Sequence, residues 1–328
     1  MSRRMNRIVS VVVVLMAVLA AQAAADPLPG EVLKFEQFPL VAGPNGGYPG
    51  HDEISTIAPA NVAPGYTGQY MADDFADKFS TPVVDVGWWG SYLQGSGATQ
   101  FLISFESDVP ADPAGEFSHP GQVLSAQIVT LGALTAGSGT FTETAVPNPG
   151  SPDGNLFQYN AELSVPFAEQ PNTVYWLKIV AIQQPGQGFV WGWHDRDWSI
   201  QNPLASTAPA VSPGEHVLGI VAPGIPVYHF QDDAVSGTMT LDPTTLPLPG
   251  PISPGSVHQA LGTPQNYILP WDGPAAVPGT TFPGIDSFSK DLAFSLYTRT
   301  PEPSTFVLLG LGSLACGLSQ WRKARRGL

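Results

Sequence analysis

Between residues 32 and 298 apolar and polar positions trade places in short runs, with a period of two rather than 3.6. "VLKFEQF" (32–38) alternates. "VVDVGWWGSYL" (83–93) is β-branched and aromatic, and "QFLISFES" (100–107) puts Phe101, Ile103 and Phe105 on one face. "QVLSAQIVTL" (122–131), "GTFTETAV" (139–146) and "NLFQYNAELSV" (155–165) continue the series. "TVYWLKIVAIQ" (173–183) is almost wholly apolar, as a central strand is. "GFVWGWH" (188–194) sets Phe189, Trp191 and Trp193 on one side, and "DLAFSLYT" (291–298) closes the series. Turn-forming strings such as "PNPGSPDGN" and "QQPGQG" separate the runs, and 35 glycines and 34 prolines leave little room for long helices. The pattern predicts an all-β domain over residues 26–300, an antiparallel β-sandwich or jelly-roll-like fold. Residues 241–285 hold ten prolines and little strand propensity, so they are expected as an extended surface insertion within that domain.

The two ends read differently. Arg3, Arg4 and Arg7 precede an apolar run from Ile8 to Ala21, and "AQAAADP" follows. Ala23 and Ala25 fit the small-x-small pattern cut by signal peptidase, which predicts a Sec signal peptide over residues 1–25 and a mature chain from Asp26. The alternative is an uncleaved anchor, for which the run is short against the ~20 residues of a membrane span. At the other end, Ser304–Trp321 is 18 residues, about 27 Å of helix against a ~30 Å hydrocarbon core. Arg322, Lys323, Arg325 and Arg326 follow at once. Basic residues beside a span stay cytoplasmic, so both ends are expected to face the cytoplasm and everything between them to face out. Pro301-Glu302-Pro303, the short single hydrophobic helix and the basic tail resemble the PEP-CTERM sorting signal of bacterial exported proteins (301–328). That resemblance implies recognition by a membrane-embedded exosortase and cleavage near Pro301, Glu302 and Pro303. The protein would be held transiently at the inner membrane, then reach the cell surface or the extracellular medium. The alternative is a plain C-terminal anchor with the same topology and no cleavage.

Composition narrows the partners. Between Asp26 and Thr300 six basic residues stand against 26 acidic ones, a net charge of −20. A nucleic acid needs a basic footprint, so that partner is excluded, and an anionic membrane surface is disfavoured. The acidity fits a solvated surface, or divalent cations. The single cysteine, Cys316, lies in the tail. The mature part therefore has no disulfide, no thiol nucleophile and no cysteine metal site, and must rest on a hydrophobic core, which a chain of this length can bury.

A second resemblance covers residues 70–298. Met71-Ala72-Asp73-Asp74-Phe75, Trp88-Trp89-Gly90-Ser91-Tyr92, "FLISFESDVPA" (101–111), Ser118-His119-Pro120-Gly121, "VYWLKIVA" (174–181), "FVWGWHDRDW" (189–198), Asp232-Asp233-Ala234-Val235 and the final "DLAFSLYT" (291–298) carry it. These pieces resemble an uncharacterised exported β-domain family that often bears the same tail. The likeness implies export and β architecture, and no activity or site.

No chemistry-bearing motif stands out. H-E-x-x-H, G-x-S-x-G, the phosphate loop and the calcium loop are all missing from the sequence. The best concentration is "WGWHDRDW", where Trp191, Trp193 and Trp198 accompany His194, Asp195 and Asp197. One reading is a sugar platform, with aromatic faces for the ring and carboxylates for its hydroxyls. The other is an alternating strand whose tryptophans fill the core. A metal held by His194 and Asp195 is a third. Asp73 and Asp74 could take Ca²⁺ through oxygen ligands, or shape an Asx-type turn just before a β region, and Asp232-Asp233 carries the same two readings. No other cofactor is expected. The sequence therefore points to a non-enzymatic protein of the cell surface or extracellular matrix, with signal peptidase and exosortase as processing partners. The alternatives are a calcium-assisted carbohydrate-binding module for extracellular polysaccharide and a polysaccharide hydrolase.

Overall fold

The computed structural model describes residues 27–37, 39, 52–61, 64–110, 118–147, 156–195, 234–242, 249–264, 266–267, 288–289 and 291–299. The signal peptide, the sorting tail, Asp197, Trp198, Asp232 and Asp233 lie outside them. The strands are β1 (Glu31–Gln37), β2 (Asp52–Ile54), β3 (Thr56–Pro59), β4 (Tyr66–Phe75), β5 (Val83–Gln94) and β6 (Gln100–Val109). After them come β7 (His119–Leu131), β8 (Thr140–Val146), β9 (Leu156–Phe167), β10 (Tyr175–Ile182), β11 (Val190–His194) and β12 (Val235–Leu241). The last are β13 (Gly250–Pro251), β14 (Val257–Pro264), β15 (Asn266–Tyr267), β16 (Phe288–Ser289) and β17 (Phe294–Arg299). All but β15 and β16, which pair with each other, belong to one 15-stranded mixed sheet. Its main path runs β1-β17-β5-β9-β8-β7-β6-β10-β3-β4-β12-β14.

The sheet folds so that two of its stretches face each other. β6 supplies Phe101, Ile103 and Phe105 to the core between them, β10 supplies Leu177, Ile179 and Ala181, and β4 supplies Met71 and Phe75. Val86 and Trp88 of β5, Tyr159, Ala161 and Leu163 of β9, and Phe294 and Leu296 of β17 meet them from the other side. The alternation read from the sequence is therefore the sandwich core, as period-two side-chain placement requires. Aromatic rings dominate it: Phe105 stacks on Phe167 with centroids 4.2 Å apart, and Trp88 on Tyr159 at 5.1 Å. β10 is buried at every position because β6 lies on one side of it and β3 and β4 on the other.

The opposite faces of β4, β6, β7 and β10 carry a second core. It contains Tyr70, Leu102, Ile128, Trp176 and Val180, and β12 and β14 add Val235, Met239, Leu241 and Val257. Here the structure corrects two expectations. Part of the proline-rich stretch, expected as a surface insertion, forms β13 and β14, and β14 closes one end of the main path by pairing with β12. The sheet is also not purely antiparallel: β7–β8 and β3–β10 pair in parallel, over two residue pairs each.

Ser55 and Thr56 link the two stretches where the chain leaves β2 for β3. Ser55 Oγ donates to the Ile179 carbonyl at 2.5 Å and accepts from the Met71 N–H at 3.1 Å. Thr56 Oγ1 donates to the Trp191 carbonyl at 2.7 Å. The first and last strands of the domain are neighbours, with Glu31 opposite Arg299 in the antiparallel pair β1–β17.

Candidate functional site

The aromatic string read as a possible sugar platform points inward. Trp191 and Trp193 are both 0% exposed. The Trp191 indole N–H donates to the Tyr159 hydroxyl at 3.1 Å, and its ring meets Phe101 edge-on at 4.9 Å. The Trp193 N–H donates to the Ala293 carbonyl at 2.9 Å. Both rings spend their faces on the core, so neither can stack on a sugar, and of the two readings open for these residues they follow the core one. The physical reason is position: β11 pairs with β5 on one side and β2 on the other, which puts its odd-numbered side chains inside.

His194, on the other face of β11, is 1% exposed. Its Nδ1 lies 2.9 Å from Asp52 Oδ1, and the Ser91 hydroxyl donates to Asp52 Oδ2 at 2.5 Å. The three residue types match a hydrolytic triad, but the wiring does not. A nucleophilic serine must bond the imidazole nitrogen that the carboxylate leaves free. Here the hydroxyl bonds the carboxylate, and His194 Nε2 is buried without a hydrogen-bond partner. The cluster ties β2 to β5 and β11. Asp195 forms an isolated bridge with Leu292, so His194 and Asp195 continue the sheet toward the last strand.

Asp73 and Asp74 sit inside β4 rather than before it, and both are 0% exposed. Asp73 Oδ2 accepts from the Leu292 N–H at 2.7 Å and Asp73 Oδ1 from the Asp74 N–H at 3.0 Å. Asp73 thus serves the backbone, as its Asx-turn reading implied, but from within a strand.

The structure assembles another acidic group that no local stretch of sequence announces. Glu31 of β1, Asp85 of β5 and Glu162 of β9 bring carboxylate oxygens within 4.8 Å of one another. Register explains the meeting. Glu31 is opposite Arg299, Asp85 is opposite both Tyr297 and Glu162, and all lie on the face that turns away from the main core. Arg299 donates to Glu31 Oε1 at 2.8 Å and also to Glu162 Oε1. The second oxygens accept backbone N–H groups, Leu28 to Glu31 at 2.8 Å and Gly137 to Glu162 at 3.1 Å. Asp85 is 0% exposed; the Asn160 side chain is the hydrogen-bonding group beside it, and neither carboxyl oxygen receives a bond of good geometry. Burial pushes the Asp85 carboxyl well above the usual range, the charges of Glu31 and Glu162 push it further, and the neighbouring Asn160 amide and Arg299 oppose them. Glu31 is raised to about 7, first by burial and then by Glu162, against Arg299 and the Leu28 N–H.

The comparisons agree with the C-terminal end and the middle of this picture. The model of a PEP-CTERM protein-sorting motif matches residues 299–326, which include Pro301, Glu302, Pro303, Arg322, Lys323, Arg325 and Arg326. That motif marks an exported protein processed by an exosortase during sorting. No curated protein and no solved structure matches the chain. The model described as Domain of unknown function (DUF7901) matches residues 33–222, more than half of the chain and the span from β1 through β11. The chain thus carries an exported protein's sorting motif and belongs to the DUF7901 family.

Proposed function

We propose that the processed chain is a non-enzymatic protein of the cell surface or extracellular matrix, delivered by signal peptidase at residues 23–26 and released by an exosortase at Pro301–Ser304. The observation that carries this reading is the sorting motif at the end of the last strand, with Arg299 both ending β17 and beginning the motif. The wiring of Ser91, Asp52 and His194 supports the non-enzymatic half, since a hydroxyl held on a carboxylate is not activated by the imidazole.

Intact-mass and C-terminal peptide mapping test the reading, on protein made in a host with its sorting protease and in one without. A chain running from Asp26 to the Pro301–Ser304 region only in the first host, recovered in the surface or medium fraction, is the expected result. A chain ending at Leu328 in both hosts would refute the release step. Turnover of a polysaccharide by the purified chain would refute the non-enzymatic role.

A further inference from the structure

We propose that Glu31, Asp85 and Glu162 form a divalent-cation site, with Ca²⁺ as its occupant, that fastens the first and last strands of the domain to β5 and β9. Asp85 carries the argument. It is completely buried and aimed into the cluster, and neither of its oxygens receives a hydrogen bond of good geometry. Open acceptor oxygens on a completely buried carboxyl are the exception in folded proteins, and a cation that is not a side chain can take them as ligands. Arg299 cannot fill that role, because its guanidinium is engaged by Glu31 and Glu162. With the ion bound and all three carboxyls deprotonated, the guanidinium and the ion together balance their charge.

The donor chemistry selects the ion. All three side chains offer oxygen only, which suits a hard cation and disfavours zinc, whose protein sites favour nitrogen and sulfur. Two oxygens bound to one Ca²⁺ at about 2.4 Å each stand at most about 5 Å apart, and the carboxylate oxygens here lie within 4.8 Å of one another. Magnesium is smaller, sheds water reluctantly and prefers a tight octahedron. Arg299 and the N–H groups of Leu28 and Gly137 each use one lone pair of an oxygen that has another. They can stay in place while the ion binds. Asn160 and Ser295 bring further side-chain oxygens to the same face, opposite Gly87 on either side. Water completes the six to eight ligands that Ca²⁺ takes.

The test uses the chain as recovered from its exporting host, stripped with EDTA and titrated with CaCl₂ by calorimetry and thermal unfolding. One Ca²⁺ per chain, and a Tm on the order of 5 °C higher with saturating Ca²⁺ than in EDTA, are expected. Asp85→Asn keeps the shape and removes the ionisable group. It should abolish the calcium-dependent shift while raising the Tm measured in EDTA above that of the unmodified chain. Glu31→Gln, independently, should weaken calcium binding at least tenfold. An unmodified chain whose Tm is the same in EDTA and Ca²⁺ would overturn the site. So would a calcium response that persists in full in both variants. Should Asp85→Asn fail to fold, the unmodified chain and Glu31→Gln decide the question alone.

Discussion

Lys178 is a lysine with no exposure, buried on the face of β10 that carries the second core. Its Nζ lies 2.5 Å from Glu106 Oε1 and 4.1 Å from the centre of the Tyr70 ring, and it also donates to Gln259. Gln259 in turn donates to Glu106 Oε2 at 2.7 Å, so the acid and the base are both satisfied. Burial lowers the Lys178 pKa, and the charge and hydrogen bond of Glu106 oppose that shift. A buried pair of this kind adds little net stability, but breaking it strands a charge. Lys178→Met should therefore cost about 3–5 kcal/mol, and adding Glu106→Gln should recover much of that loss. A double-mutant cycle measured by urea unfolding checks both statements. At this scale the sequence is legible where a side chain answers to its strand neighbours. Trp191 and Trp193 alternate and are core. It is mute where partners arrive from distant strands. Glu31, Asp85 and Glu162 meet only through the register of β1, β17, β5 and β9, and no local window of sequence carries register.

Strands rich in β-branched and aromatic residues were visible as strands, among them β5, β6, β7, β9 and β10. β4, β12 and β14 were not, because glycine, aspartate, glutamine and proline dilute the pattern. Their glycines have a positional reason. A Cβ on Gly237 of β12 would stand 2.5 Å from the Ala260 carbonyl oxygen and 2.5 Å from the Tyr70 ring. One on Gly68 of β4 would stand 2.2 Å from the Thr56 carbonyl oxygen. Close strand approach, not weak propensity, selects glycine there. Gly237→Ala should thus cost about 1–3 kcal/mol by forcing β12 away from β14 and Tyr70. Gly188→Ala, whose Cβ would meet nothing within 4 Å, should stay within about 0.5 kcal/mol. Denaturation midpoints of the two variants compare them directly. β14 also delivers Gln259 to the Lys178 cluster. A stretch that reads as an insertion by its proline count thereby belongs to the sheet and to its polar interior.

For the whole molecule, the all-β class was legible from period and punctuation alone, and the order of strands was not. That order depends on which edges meet after the sheet folds over, such as β7 with β8 and β3 with β10. The tail was legible because a sorting signal must be read as a linear string by a membrane enzyme, whatever fold precedes it. The domain's polar groups answer to three-dimensional neighbours and leave no such string.

The place of β17 has a mechanical consequence. It lies between β1 and β5 and is the last strand before the sorting motif. If the tail is held at a membrane during sorting, as the proposed function requires, any tug from outside enters the domain through the C-terminal end of this strand. β17 runs antiparallel to β5, so a pull along it toward the membrane, resisted at the far end of β5, loads the ladder of hydrogen bonds between them in shear. A pull resisted at the near end would open the β17–β5 pairs one at a time. Force spectroscopy with handles at Arg299 and Gln94 should therefore rupture at higher force than with handles at Arg299 and Val83. Equal forces would mean that β17 bears no load. A tether leaving from between two neighbours turns a row of individually weak bonds into a joint that yields only all at once.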